Sequence, residues 1–553
     1  MGDSISRAEA VSLLWKLKQA SDSKSSSDIP YVHFNMLLTD PRYREQILTT
    51  AADSRYQDLQ QIANQLRGVK MEGRLIRDPA AVRVNRAGKR ETEVTFLSST
   101  DVPDQRIVKA GIPWLSMTVA ALLLMVVFAS IVGAFYYQEL SRLLGSEVLI
   151  SEDILQDTRW EAGKTYILDR VIYVESGADL TIDAGVTVQG KPGSALVITR
   201  GSRLFARGTR ARPIVMTSAR EPGSRAPGDW GGLVLLGSAP VNNSNLHIEG
   251  LDPTDPRGLY GGVTEMDSCG VLEFVRVEYA GFEVYAGNEL NGLTLGGCGS
   301  QTEISHVQVH LPLDDGIEVF GGTVDLKHIL VTGPGDDGLD WDLGWQGRAQ
   351  FVIIQQHRDR GDNGFEGDSN SERPGALPAS RPVIFNATLI GGFSDSKSQR
   401  GMLLRHGTGG HFANILLTGF STESIDIRNR ETVKNLAGNR LRFESILMFD
   451  IGANGRQFFA PEDGKADDDG GFAEASLFEN REDIRLDVNP GFGFSVRDSM
   501  NPEFSPQGNK VVDLFGTSPP QDDFWDQDAT YIGALPSSAK TNWLNGWTSY
   551  APD

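Results

Sequence analysis

Basic side chains are scarce in this 553-residue chain: 52 Lys and Arg stand against 73 Asp and Glu, a formal net charge of −21. The shortage is uneven. Residues 1–110 hold 17 Lys and Arg against 14 Asp and Glu, so the acidic excess belongs entirely to residues 111–553. A long acidic segment argues against nucleic-acid binding and against docking on anionic lipid. Cysteine is nearly absent, with only Cys269 and Cys298, which leaves room for one disulfide. The first 110 residues contain no kinase, nucleotide-binding or helix-turn-helix signature.

Charge is missing altogether from residues 111–137, GIPWLSMTVAALLLMVVFASIVGAFYY. About 20 apolar residues cross a bilayer as a helix, so this stretch is long enough to span with some tilt. Trp114 at one end, and Tyr136 and Tyr137 at the other, occupy the interfacial positions aromatics prefer. The run starts too deep in the chain, and is too long, for a cleavable signal peptide. Arg83, Arg86, Lys89, Arg90, Arg106 and Lys109 precede it, whereas Glu139, Glu147, Glu152 and Asp153 come after it with Arg142. The positive-inside rule then places residues 1–110 in the cytoplasm and the acidic part outside. The expected organisation is a cytoplasmic region over 1–110, a transmembrane helix over 111–137, a linker over 138–159 and an exported domain over 160–553. Within the first region, 8–18 and 43–67 have helical character around a Ser-rich linker, and 69–97 reads as short strands.

The exported part repeats itself. A seven-residue strand pattern begins at Glu273, Glu303, Asp325, Gln350, Val383, His411 and Arg442. Its second position is always apolar: Phe274, Ile304, Leu326, Phe351, Ile384, Phe412 and Phe443. Strands recurring with a period of about 20 to 30 residues without helices between them fit a parallel β-helix, an all-β solenoid whose coils stack at ~4.8 Å. A β-propeller repeat needs four antiparallel strands and about 40 residues. Cys269 and Cys298, each followed by glycine, precede repeat strands and so fall within disulfide reach on successive coils. An exported compartment favours their pairing.

One acidic motif recurs with the repeat: Asp314-Asp315-Gly316-Ile317-Glu318, Asp336-Asp337-Gly338-Leu339-Asp340, and Asp362-Asn363-Gly364-Phe365-Glu366. Stacked carboxylates repel by about 1 kcal/mol each in water and more near protein, so something must offset them. Water, Arg358 and Arg360, raised pKa values or Ca²⁺ would serve, and aspartates that only support the backbone of a corner are the plainer reading. The candidate metal set is Asp314, Asp336, Asp362, Glu318, Asp340 and Glu366, and glycine at the third position suits a corner with φ > 0. The acidic runs do not fit an EF-hand loop.

The runs GADLTIDAGVTVQG, GDWGGLVLLGSAPVN, NELNGLTLGG, LDDGIEVFGGTVDLKHILVTGPGDDGLDWDLGWQG and YIGAL…WLNGWTSY resemble a group of secreted or envelope-anchored β-helix proteins of Gram-negative bacteria. That resemblance implies a right-handed coil and an envelope location, with no activity attached. With the anchor it implies a bacterial inner-membrane protein with a cytoplasmic N terminus and a periplasmic C-terminal domain. The expected function is a scaffold or partner-binding module in a larger membrane assembly. Its expected partners are the membrane, other envelope proteins or further copies of itself, and peptidoglycan or polysaccharide. The Asp-Asp-Gly copies are also similar to polygalacturonase-type glycoside hydrolases, which implies Asp315, Asp336 and Asp337 as an acid–base set. The Gly-His-Gly and Arg-Ile-Lys of that family have no counterpart, and Arg405-His406-Gly407 is placed two coils further on. A polysaccharide hydrolase or Ca²⁺-dependent lyase using the stacked aspartates is the alternative, with Arg358, Arg360 and Arg405 as basic candidates.

Overall fold

The computed structural model describes residues 13–14, 16–17, 41–52, 54–67 and 147–550, apart from 245, 286–287, 395–396, 461–467, 508–509 and 538–541. The uncharged stretch 111–137 and the strand reading over 69–97 lie outside these residues. Among the described residues, no helix is long and apolar enough to cross a membrane. The chain forms two units. In the first, helices α1 (Pro41–Ala52) and α2 (Gln57–Arg67) enclose a small core of Leu14, Leu17, Ile47, Leu48, Ala51, Leu59, Ala63 and Leu66. The sequence reads one helical stretch here, but it breaks near Ser54, whose hydroxyl accepts from Tyr56 N and whose carbonyl accepts from Gln60 Nε2.

The second unit is a parallel β-helix. Its strands begin at Glu147–Ile150, ahead of residue 160, and its last strand is Ile484–Leu486. A 15-stranded and a 9-stranded sheet run its length, with parallel pairing throughout both. Because side chains alternate across a strand, each sheet sends a column inward. One column is Ile182, Ala206, Leu272, Ile304, Leu326, Ala349, Ile384, Phe412 and Phe443. Another is Ile172, Leu196, Leu233, Leu293, Ile317, Leu339, Phe365, Met402 and Ile425. All are buried, and each large member contributes roughly 1.5–3 kcal/mol by leaving water.

The strand pairing corrects the repeat alignment at two places. Glu303 pairs with Val271 rather than Glu273, and Val383 pairs with Arg348 rather than Gln350. A two-residue slip leaves every side chain on the same face, so alternation alone does not reveal it. Phe274 and Phe351 instead belong to the bend of the long strands. There one residue per coil takes a left-handed backbone: Phe274, His306, His328, Phe351, Asn386, Asn414 and Ser445, with φ of 50–62°. Such strain costs ~1–3 kcal/mol for a non-glycine residue unless neighbours support it. Here they do. The rings of Phe274, His306, His328 and Phe351 stack at 4.3, 4.3 and 4.9 Å. Asn386 and Asn414, whose type tolerates this conformation, bind the C-terminal segment.

That segment, beyond residue 489, is a strap across the outer face of the longer sheet. Asn414 donates to Thr517 O and accepts from Thr517 N, both at 2.8 Å. Gln308 makes the same pair of bonds with Ser549. Gln350 accepts from Asp526 N, and Asn386 donates to Tyr531 O. Trp543 and Trp547 pack edge-on or tilted against the imidazole stack. Beneath the strap, Leu330, Ile353, Ile390, Leu416 and Leu447 are buried although they point out of the coil. Cys269 and Cys298 are bonded, with Cα atoms 5.7 Å apart. They join the start of the Gly270–Glu278 strand to the corner after Leu293–Gly296.

Two effects on stability are expected. Replacing Asn414 with Ala removes both hydrogen bonds to Thr517 and a longer one to Ala529 O, which should cost about 2–4 kcal/mol. Faster proteolysis within residues 489–550 should accompany the loss in chemical denaturation. Burial, assisted by Arg210 and Lys327, pushes His306 down to about 4, and burial with His306 pushes His328 down to about 3. Their neutral forms are the folded ones, so the unfolded chain binds more protons below its ordinary value of ~6.5. The strap should therefore loosen as pH falls from 6.5 towards 3, as read by Trp fluorescence, and a His306→Phe/His328→Phe double variant should flatten that response.

Candidate functional site

The shorter sheet carries the acidic motif, and its register assembles the rows. Glu318 pairs with Asp340, and Asp340 with Glu366. One coil step also separates Asp314, Asp336 and Asp362: Asp336 N donates to Asp314 O, and Asp362 N to Asp336 O. The three glycines share one corner, but none has a positive φ, contrary to the expectation for that position. They are required by close approach. A Cβ on Gly316 would lie 2.4 Å from Val331 Cγ1 and 2.5 Å from Gly338 O, and one on Gly338 would lie 2.2 Å from Ile354 Cγ2.

The paired aspartates differ in environment. Asp315 and Asp337 are buried, at 7% and 4% exposure, whereas Asp336 is exposed. Asp315 Oδ1 accepts from Asp337 N at 2.8 Å, and Asp337 Oδ1 accepts from Asn363 N at 2.7 Å. Each buried carboxyl thus holds the corner of the next coil. Burial pushes both well above the usual carboxylate range; Asp314 adds to this for Asp315, and Glu366 for Asp337. Burial first, then Glu249, raises Glu318; burial first, then Glu366, raises Asp340. The proposed acid–base set therefore comprises two wall residues and one surface residue.

Carboxylate oxygens group differently from the metal set read in the sequence. Those of Asp314, Asp315 and Asp336 lie within 4.8 Å of one another, and so do those of Asp315, Glu318 and Asp340. Asp315 belongs to both groups, while Asp362 and Glu366 keep their rows and enter neither. Arg360 does not offset these charges directly, since it donates to Pro334 O at 3.2 Å and Pro312 O at 2.5 Å.

Arg405 reaches the row of Glu318, Asp340 and Glu366, as Arg400 reaches the Asp362 end of the other, at 3.7 Å. Arg405 pairs with Glu366 through Nη2 and with Asp368 through Nε at 2.9 Å. His406 Nδ1 stands 2.7 Å from Asp368 Oδ2. Both come from the coil adjacent to Glu366, because Leu404 pairs with Gly367, so the two-coil placement read in the sequence is corrected. The excursion over residues 368–382 has the length of a coil without contributing a strand to either sheet. Burial and Asp368 push Asp342 up to about 6. One coil further, Arg400 meets Glu423 and Asp426, at 3.3 and 3.1 Å. Asp342, Asp368 and Glu249 carry no motif of their own in the sequence; Asp342 and Asp368 lie two residues beyond Asp340 and Glu366, on the same side of their strands.

A family model described as a pectate-lyase-like β-helix domain matches residues 152–468, more than half of the chain. The chain belongs to this family. The match accords with the β-helix resemblance drawn from the sequence motifs. No curated protein and no solved structure matches the chain significantly.

Removing Arg405 leaves Glu366 and Asp368, both largely buried, without their cation. Arg405→Met should cost ~3 kcal/mol in chemical denaturation, as broken buried pairs do. Arg405→Lys should recover less than half of that, since one ammonium does not reproduce the guanidinium fork.

Proposed function

We propose that this is a membrane-tethered envelope protein whose exported β-helix is a rigid binding module for another envelope component. The reading combines the uncharged stretch 111–137, the acidic excess after it and the solenoid. The observation that carries it is the division of labour on the shorter sheet. Asp315 and Asp337 are committed to backbone N–H groups, and Arg405, His406 and Arg400 are committed to carboxylates. Such a face is prearranged and charged, which suits recognition and orientation more than proton transfer by a free acid–base pair. The strap covers the longer sheet. Ile248, Leu251 and Tyr260 cover part of the shorter sheet as well, packing against Val234, Leu236 and Phe320. The surface this sheet leaves for a partner is therefore the corner row of Asp314, Asp336 and Asp362. In this reading the anchor lies in a bacterial inner membrane, and the partner is a protein of a membrane assembly.

A second reading is favoured by the family match together with Asp342, which is held at about 6 beside Asp368, Arg405 and His406. A carboxyl that is partly protonated at neutral pH is what a general acid needs, and polysaccharide would be the substrate. One experiment separates the two. Full-length protein, crosslinked in native membranes, should recover a specific envelope protein. Reversing the charge of Asp336, the exposed member of its row, should cut that recovery roughly tenfold without lowering the melting temperature, as loss of electrostatic complementarity does. Cleavage of pectic or other acidic polysaccharide by the same preparation, abolished by Asp342→Asn, would replace the binding role with the catalytic one.

A further inference from the structure

Three buried oxygens lacking hydrogen-bond partners lie within successive coils where the acidic rows begin. They are Asn291 Oδ1, Thr294 Oγ1 and Asp340 Oδ1. Asn291 and Thr294 are wholly buried. Thr294 pairs in register with Glu318, and Glu318 with Asp340, so the three form one axial row. Asn291 precedes Leu293 by two residues, as Asp315 precedes Ile317, and Leu293 pairs with Ile317. Asn291 therefore stands one coil from Asp315. Its Nδ2 donates to Glu318 Oε2 at 2.5 Å, which leaves the amide oxygen as its uncommitted end.

Buried polar oxygens are normally paired, and each orphan costs about 1–3 kcal/mol. The Asn291 and Asp340 orphans beside three crowded carboxyls point to a ligand that accepts electron pairs from both. Water would supply two protons and leave the negative charge in place. A cation supplies charge and serves as common partner. The oxygens of Asp315, Glu318 and Asp340 lie within 4.8 Å of one another. Two oxygens sharing one Ca²⁺ at ~2.3–2.6 Å are at most about 5 Å apart, so the spacing fits a single ion.

We propose that Asp315, Glu318 and Asp340, with the amide oxygen of Asn291, hold one Ca²⁺ between adjacent coils, Glu249 completing its oxygen shell. All donors are oxygen, which selects a hard cation over zinc or copper. Mg²⁺ retains several waters, and a site closed by protein oxygens disfavours it. The ion would act as an axial clamp, joining the coils that begin at Asn291, Asp315 and Asp337 by attraction where bare carboxylates would repel. This site does not depend on which component the neighbouring charged face binds.

The test uses the full-length protein in detergent, freed of metal with EGTA. Ca²⁺ should bind with a stoichiometry of one per chain by titration calorimetry. Saturation should raise the melting temperature by roughly 3–5 °C, as a ligand specific to the folded state does. Glu318→Gln and Asp340→Asn should each weaken binding at least tenfold, while Asp362→Asn, outside the group, should leave it unchanged. Should a core variant fail to fold, Tb³⁺ soaked into crystals of the unaltered protein should give one anomalous peak between Glu318 and Asp340. No binding at millimolar Ca²⁺, an equal response to Mg²⁺, affinity unaltered in both variants, or an anomalous peak elsewhere would each overturn the assignment.

Discussion

Hydrogen bonding between the main chains of successive coils sets the axial spacing at ~4.8 Å, and every other property of the solenoid depends on it. Once coils are in register, whatever occupies one position meets its counterparts directly above and below. Apolar positions become continuous columns, as with Ile317, Leu339 and Phe365. Aromatic positions become stacks, as with His306 and His328. Acidic positions become rows of like charge. The repeat makes the first two favourable without further provision, and it makes the third conditional on a neighbour that neutralises it.

The protein meets that condition in several ways along one face. Asp315 and Asp337 direct an oxygen to a main-chain donor of the following coil. Glu366 and Asp368 converge on one guanidinium. Glu423 and Asp426 share Arg400. At the Asn291 end, by contrast, Glu318 is met by the amide nitrogen of Asn291 rather than by a guanidinium. The face is therefore graded, from carboxylates paired with a guanidinium near Arg405 and Arg400 to carboxyls held by neutral donors near Glu318.

Much of this was legible in the chain. The recurrence of apolar second positions revealed the parallel coil, and Cys269 with Cys298 announced their bond by spacing. The Asp-Asp-Gly copies gave the rows correctly because they are short and uninterrupted by insertions. What escaped had physical reasons. A shift of two residues is silent in a strand pattern, which concealed the bend at Phe274 and Phe351. An insertion as long as a coil concealed the adjacency of Arg405 to Glu366. The glycines at 316, 338 and 364 were legible as special, but the cause was crowding by Val331, Ile354 and neighbouring carbonyls, which a sequence does not display. Contributions from far along the chain, such as Glu249 beside Glu318 or Ser549 beside Gln308, carry no local signal.

The strap alters how the solenoid holds together. In a plain stack each coil touches only its neighbours, so ends fray independently and stability grows coil by coil. Here the final stretch climbs from Asn414, which accepts from Gly533 N through its carbonyl, to Arg210, which donates to Asn545 O. Coils far apart in the stack are thereby tied to one continuous segment. Loosening at either end must peel that segment away before it spreads, so the array behaves as a splinted rod. Force applied along the axis would be shared by many coils at once.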